Sequence, residues 1–379
     1  MPIQMPCHTL TPDYLLAIPI APYFFALVGH VDQELEVVYF QILALSSGPI
    51  IIAAAMSSFF TGRGLTWVTM VVTGIAALIN IVGDYLLIFD KLGLGLSPIA
   101  GAAWATVFAH WASVVIYALW MYLPRSRERF GLVHGWKFDL SLMKRLISYG
   151  GSSGLHMLVE GFGFTVLIMM VGRLGKVAAE ATTLAFSVNI ILFIPMIGLG
   201  IAISTLVGQQ LGNNRADLAE RATWTGMALG MLYSGIAAAM YIAVPEVFLY
   251  AYESYADPAE FAPIRATTVI LLRFVALYFI FDTMQIVFAC AIKGAGDTFF
   301  VMMVAGGVSL LGVTVGQIGS QYFGGGLYWW WTVMTAWLFT LAMAYLARFL
   351  HGGWRTMRVI EKQYIEPMDE ETREVVEVA

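Results

Sequence analysis

Long apolar segments recur from one end of this 379-residue chain to the other, each 16 residues or longer. A helix needs about 20 predominantly apolar residues to cross the hydrocarbon core of a bilayer. In lipid, only helices and closed barrels satisfy every backbone hydrogen bond. Charged residues make up 12% of the chain, against about 25% in soluble domains. The sequence therefore predicts an all-α polytopic membrane protein whose main partner is the lipid bilayer.

The apolar pattern predicts about ten membrane-spanning helices. Short Gly-rich turns such as TGRGLT and KGAGDT join several of them. The spans are predicted at 14–29, 37–60, 67–89, 98–123, 146–172, 178–211, 222–245, 267–292, 299–322 and 327–350. The YWWW run at 328–331 lies near a predicted outer boundary, so we expect it to belong to an interfacial aromatic belt.

The remaining composition excludes several classes of function. Cys7 and Cys290 are the two cysteines, too few for a disulfide framework or a metal cluster. The net charge of −5 comes with no basic stripe for nucleic acid. No catalytic residue set, metal site or organic cofactor is predicted, so we expect a protein that is not an enzyme.

Lysine and arginine predict the orientation, because cytoplasmic loops of membrane proteins carry an excess of both. If the C-terminus is cytoplasmic and the spans alternate, outside loops hold only Lys91, Arg173, Lys176 and Arg265. The inside segments then hold Arg63, Arg125, Arg127, Arg129, Lys137, Lys144, Arg145, Arg215, Arg221, Lys293, Arg348, Arg355, Arg358, Lys362 and Arg373. The prediction is a protein of the inner or plasma membrane with a cytoplasmic C-terminus.

Two short motifs occur twice, once in each half of the chain. GRGLT at 62–66 is similar to GAGDT at 294–298, and each directly follows a long apolar span. GAAW at 101–104 is similar to GLYW at 326–329, and each opens the last span of its half. Internal repeats of this kind are typical of transporters built from two related bundles.

The repeat predicts the domain organisation. We expect an incomplete first lobe of about four helices at 1–123, a cytoplasmic inter-lobe loop at 124–145, a six-helix second lobe at 146–350 and a cytoplasmic tail at 351–379. Four spans precede GAGDT but two precede GRGLT, so symmetry favours a twelve-helix protein that lacks its first two helices here. A natural ten-helix protein with unequal halves is the alternative.

Longer motifs resemble the multidrug and toxic compound extrusion (MATE) transporters. The first half carries GRGLTW, NIVGDYLLIF and PIAGAAWAT; the second carries VEGFGF, IPMIGLGIAISTLVGQQLGNN and YFIFDTMQIVFACAIKGAGDT. The resemblance implies a V-shaped pair of pseudo-symmetric bundles. It also implies export of small amphipathic, often cationic, compounds in exchange for H⁺ or Na⁺.

Polar residues in the second-lobe spans are the first candidates for the cation-coupling site, since carboxylates in membrane helices are costly and usually functional. Helical spacing puts Tyr278, Asp282 and Gln285 on one face. Asp282 and Tyr278 match the family's second-lobe cation-site pair, and Glu160 matches its glutamate. His156 lies one turn before Glu160, so the two could share a proton or a hydrogen bond; the alternative for His156 is a satisfied packing histidine. The alternative for Asp282 is a structural role, either paired with Arg273 or capped by backbone.

In the first lobe, Asn80 and Asp84 match a pair that forms a cation site in proton-coupled members of the family. The aspartate expected opposite that pair is absent from this chain, so both could instead hold a helix end. Thr106 is a further candidate for the substrate cavity, with Gln285 and His156. Asn189 is another, or it holds two helices together.

Three other functions remain as alternatives. GAGD at 294–297 fits an intramembrane aspartyl protease with Asp297, but no Tyr-Asp dipeptide lies on the preceding helix. A lipid-linked-precursor flippase should carry several basic residues in its groove, and Arg273 alone falls within a predicted span. An inactive remnant is the third. The prediction is a secondary active multidrug efflux transporter.

Overall fold

A computed structural model of the chain describes residues 33–122, 139–253 and 257–357. The predicted span 14–29, most of the 124–145 loop and the tail from 358 onward lie outside the described residues. All regular structure in the described part is helical, and a short 3₁₀ helix at Gly353–Thr356 ends it. The helices are α1 (Gln33–Ala44), α2 (Ser47–Thr61), α3 (Thr66–Ile88), α4 (Pro98–Met121), α5 (Leu140–Gly172), α6 (Lys176–Gly212), α7 (Ala216–Ala243), α8 (Pro245–Glu253), α9 (Pro258–Gly294), α10 (Thr298–Tyr322) and α11 (Leu327–His351).

Within the described ranges, nine helical segments are long and apolar enough to cross a membrane. They coincide with the nine predicted spans from 37–60 onward, with α1 and α2 together forming the first at Val37–Thr61. The prediction of an all-α polytopic membrane protein is therefore confirmed. α5, α7 and α9 begin earlier than their predicted spans because starting segments that contain charged residues are also helical. At the start of α9, the Asp257 carboxylate accepts from the Ala259 N–H and Pro258 occupies the first helical position. Both features favour the start of a helix at this point.

The chain divides by its internal contacts between Phe138 and Asp139. In the first unit, α4 packs against α1, α2 and α3. The α3–α4 contact is close at Gly101, where a Cβ atom would come within 2.7 Å of the Leu87 carbonyl. Only glycine allows the two backbones to approach this closely.

In the second unit, α9 is the central helix and packs against α6, α7 and α11. α5 packs mainly against α10, and α10 packs in turn against α11. Most of the buried apolar side chains in the described part of the chain belong to this unit. The central position of α9 explains how a polar residue in its middle can be kept away from lipid.

The YWWW run does not form the predicted interfacial belt as a whole. Trp330 and Trp331 are each 1% exposed. The Trp331 indole Nε1–H donates to Thr182 Oγ1 on α6 at 3.3 Å. The prediction was wrong for these two residues because α11 packs its first turns against α9 and α10, and the indole N–H finds a partner inside the unit.

The two repeated turns have nearly the same backbone conformation. Gly64 and Gly296 have φ values of +77° and +98°, which an L side chain rarely adopts. The residues that follow have nearly the same backbone dihedral angles: φ −82° and ψ 49° at Leu65, and φ −84° and ψ 51° at Asp297. A helix then starts at Thr66 or Thr298. The GRGLT and GAGDT repeat thus extends from sequence to backbone geometry.

Candidate functional site

A cavity of about 420 Å³ lies in the second unit between α5, α6, α9 and α11. Its polar lining comprises two carboxylates, a phenol and an amide: Glu160, Asp282, Tyr278 and Asn189. Its other walls are mainly apolar and aromatic, formed by Met157, Gly161, Phe164, Phe186, Ile190, Phe193, Met334, Trp337 and Leu338. Two carboxylates in one apolar cavity would repel each other if both were charged, so the cavity attracts a cation or a proton.

Asp282 lies on the buried side of α9 and is 8% exposed. Tyr278 and Gln285 share this side, at 3% and 4% exposure, as the spacing predicted. The carboxylate of Asp282 makes no hydrogen bond or ion pair with any residue that the structure describes. Arg273 is exposed on the other side of α9, nine residues away and half a revolution round. The alternative of an Asp282–Arg273 pair is therefore wrong.

Glu160 connects α5 to α9. The Gln285 amide Nε2 donates to Glu160 Oε1 at 3.2 Å. On the other side, His156 Nε2 lies 3.8 Å from Glu160 Oε2. The Glu160 side chain is 36% exposed, into the cavity, while the His156 side chain is 5% exposed. The structure therefore brings Glu160, His156 and Gln285 together, and Glu160 shares its cavity with Asp282.

Lys293 belongs to this group and was missed by the sequence analysis. Its Nζ lies 3.2 Å from His156 Nδ1. Its position in the last turn of α9 indicated a charge at a membrane boundary. A long aliphatic stem lets a lysine bury its carbons and place its ammonium several ångströms along the helix. The signal that could have found it is the pairing of a buried histidine with the only lysine of α9.

Asn189 has a position that is compatible with both roles considered for it. It lines the cavity from α6. Its Oδ1 also accepts from the Tyr241 hydroxyl on α7 at 3.4 Å. Beside it, Phe186 stacks on Trp331 with ring centroids 5.2 Å apart, and Phe164 meets Phe186 edge-on at 4.9 Å. The cavity thus combines an adaptable apolar surface with fixed aromatic rings.

The first unit contains a separate cavity of about 410 Å³. Asn80 and Thr106 both line it, and Asn80 Nδ2 donates to Thr106 Oγ1 at 3.5 Å. Asp84 does not line this cavity, and its carboxylate has no hydrogen bond or ion pair within the described ranges. The structure therefore groups Asn80 with Thr106 and leaves Asp84 outside the cavity.

Asp297, the residue of the protease alternative, has a structural partner. Its Oδ2 accepts from Nε of Arg348 at 2.8 Å and lies 2.7 Å from a terminal nitrogen of the same guanidinium. The carboxylate precedes α10 and joins it to the end of α11. A carboxylate bound to arginine in this way already has a structural partner, which does not suit a protease acid.

Comparison with known proteins identifies relatives of the chain. A sequence model of the MatE family matches residues 153–318, which include Glu160 and Asp282. The multidrug resistance protein MdtK of Yersinia pestis (strain Pestoides F) is 27% identical over 253 residues, covering 66% of this chain and 54% of MdtK. The multidrug resistance protein NorM of Burkholderia vietnamiensis is 27% identical over 279 residues, covering 74% and 59% respectively. The chain thus spans a little over half the length of these curated relatives.

The fold has close counterparts among solved structures. A multidrug resistance MATE family transporter of the MOP superfamily, in an outward-facing conformation, superimposes with a TM-score of 0.78. That match covers 91% of this chain and 76% of the other at 17% identity. At that identity, the likeness establishes the fold.

Proposed function

We propose that this chain is a transporter of the MATE type, a secondary active exporter of amphipathic or cationic compounds driven by H⁺ or Na⁺. The match of the MatE family model to residues 153–318 and the likeness to the multidrug resistance protein MdtK support this proposal. It is an integral membrane protein, and we place it in the plasma membrane with its C-terminus in the cytoplasm. Its relatives carry the name multidrug resistance protein, which supports a broad substrate range.

The observation that carries this proposal is the pair of carboxylates in the second-unit cavity. Glu160 and Asp282 line a space otherwise mainly enclosed by apolar and aromatic side chains. Cation–π attraction and apolar contact suit a lipophilic cation, and a carboxylate can exchange that cation for a proton or a metal ion. Binding of either ligand changes the charge in the cavity, which biases the equilibrium between inward-open and outward-open states.

The lining of this cavity does not favour the flippase alternative. A pyrophosphate headgroup carries negative charges and requires lysine or arginine. The lining holds two carboxylates and no lysine or arginine. Such a groove repels a lipid-linked diphosphate and attracts cations.

The test is transport by the purified protein in liposomes. A lipophilic cationic dye should move against an imposed H⁺ or Na⁺ gradient and should stop when that gradient is collapsed. Asp282→Asn should abolish this movement, and Glu160→Gln should impair it, since each removes one exchangeable charge at nearly constant volume. Phe339→Ala, on an exposed part of α11 outside the cavity lining, is the matched control. Undiminished transport by Asp282→Asn, or no gradient-dependent transport by the wild type, would contradict the proposal.

A further inference from the structure

His156 lies between the cavity and the inner end of α9, and one of its ring nitrogens lacks a partner. The residue is 4% exposed. Its Nδ1 is bound to Lys293 at 3.2 Å. Its Nε2 is buried and makes no hydrogen bond within the described part of the chain, although Glu160 Oε2 is 3.8 Å away. A buried polar atom without a partner costs free energy and requires an explanation.

The lysine determines which ring nitrogen carries the proton. An ammonium group has three donors and no acceptor. When Lys293 is protonated, it donates to Nδ1 of His156, so the neutral ring carries its own proton on Nε2. That proton faces Glu160. The ring therefore separates a carboxylate in the cavity from an amine at the helix end, with one nitrogen toward each.

We propose that His156 is a proton-relay residue connecting Glu160 in the cavity with Lys293 at the end of α9, and that the coupling ion is therefore the proton. The inference rests on the proposed transport function. Hydrogen-bond reach for proton transfer is about 2.6–3.2 Å, so the 3.8 Å separation of Nε2 and Oε2 has to shorten by about 0.6–1.2 Å.

The transfer balances in protons and charge. In the releasing direction, Glu160 starts protonated, Lys293 neutral and the ring protonated on Nδ1. The O–H bond of Glu160 breaks as an N–H bond forms at Nε2. At the same time the N–H bond at Nδ1 breaks and one forms at Nζ of Lys293, which becomes the ammonium and releases its proton to water. The ring then has to turn over before it can carry a second proton, and the reverse sequence loads Glu160.

The partners of Glu160 favour a proton over a metal cation. Its Oε1 accepts from the Gln285 amide N–H, and the His156 ring nitrogen Nε2 lies 3.8 Å from its Oε2. Hard cations are bound by several oxygen atoms. N–H donors and a nearby ammonium oppose such a cation beside Glu160, whereas both can accompany a carboxylate that loads and releases protons.

The other charged groups near His156 leave the relay undisturbed. α10, which packs against α5, carries no charged residue. The charged residues of α6 are Lys176 and Glu180, at its opposite end. From α11, Arg348 is bound to Asp297 at 2.7 Å. Lys293 and Glu160 are therefore the charged groups placed to exchange protons with the ring, and Asp282 shares the cavity with Glu160.

The test compares proton-driven transport with ligand binding in the same variants. His156→Gln retains hydrogen-bonding groups but cannot pass a proton through its side chain. In liposomes with an imposed pH gradient, we expect dye transport by His156→Gln to fall about 100-fold, the scale of a positioned acid–base group. Equilibrium dye binding in detergent should change by less than about twofold, because the substitution removes proton transfer and leaves the dye-binding contacts in place. Added imidazole should restore transport in His156→Gly.

Lys293→Arg separates a relay from an electrostatic role. Arginine retains the charge and the donors but does not deprotonate in proteins, so proton-driven transport should be lost as in Lys293→Met. Normal transport by Lys293→Arg or by His156→Gln would overturn the relay while leaving the proposed function intact. Wild-type transport driven by a Na⁺ gradient at equal pH would overturn the choice of the proton. No transport by the wild type under either gradient would overturn the function and the relay together.

Discussion

The Gln285 amide on α9 donates to Glu160 Oε1 on α5 at 3.2 Å. An amide can donate to a carboxylate and can also present its oxygen to a protonated acid. Gln285 is therefore a suitable partner for Glu160 in both the charged and the neutral state. Because Gln285 is 4% exposed, its side chain has a fixed position and can hold Glu160 toward the cavity.

Replacing Gln285 by Met should impair transport. The change keeps the length of the side chain and removes a hydrogen bond to a charged group, which is worth about 1.5–3 kcal/mol. We expect the gradient-driven transport rate to fall by about tenfold or more. The measurement is dye transport in liposomes at matched protein density. Met303→Leu, on an exposed part of α10, is the control and should keep the wild-type rate. Wild-type transport by Gln285→Met would show that Glu160 needs no partner.

The aromatic wall of the cavity should discriminate between cations. Phe186 stacks on Trp331 and contacts Phe164. Phe186→Ala should weaken binding of a planar aromatic cation by about tenfold, since ring contacts and cation–π attraction are together worth roughly 1–2 kcal/mol. Binding of tetrabutylammonium, which has no ring, should weaken less. Fluorescence titration and competition in detergent measure both affinities. Equal losses for the two cations would mean that Phe186 contributes only volume.

The sequence predicted those parts of the site that depend on a single helix. Tyr278, Asp282 and Gln285 share a side of α9 because helical spacing requires it, and His156 lies one turn from Glu160 for the same reason. The apolar pattern likewise located the spans, because a bilayer admits few other structures. Contacts between helices were not predictable in this way. The contact of Lys293 with His156 joins α9 to α5. The separation of Asp84 from the first-unit cavity depends on how α3 is rotated against α4.

The Asp297–Arg348 pair should stabilise the second unit. The side chains of Arg348 and Asp297 are 27% and 12% exposed, respectively, and the pair joins the start of α10 to the end of α11. Arg348→Met should lower the free energy of unfolding by about 1–3 kcal/mol, between the values for exposed and buried pairs. Adding Asp297→Asn to Arg348→Met should lower the free energy of unfolding only slightly further, because the arginine partner of Asp297 is already absent. Thermal unfolding in detergent gives the comparison.

The control for that pair is Lys176–Glu260, whose side chains are 67% and 73% exposed. Lys176→Met should leave the unfolding temperature unchanged within error, because solvent screens exposed charges. A loss in Lys176→Met as large as that in Arg348→Met would indicate that the Arg348 effect comes from lost packing, not from the ion pair.

The orientation can be tested at two exposed positions on opposite ends of the second unit. Glu260 is in the first turn of α9 and Asp217 in the first turn of α7, and their side chains are 73% and 62% exposed. The excess of Lys and Arg predicts that Asp217 is cytoplasmic and Glu260 external. In a background with Cys7 and Cys290 replaced by Ser, Glu260→Cys should react with a membrane-impermeant maleimide in intact cells. Asp217→Cys should react only after permeabilisation. The opposite labelling pattern would show that the predicted topology is inverted. It would also reverse the proposed direction of proton release at Lys293, because a lysine at the external end of α9 could load the cavity from outside but could not release protons to the cytoplasm.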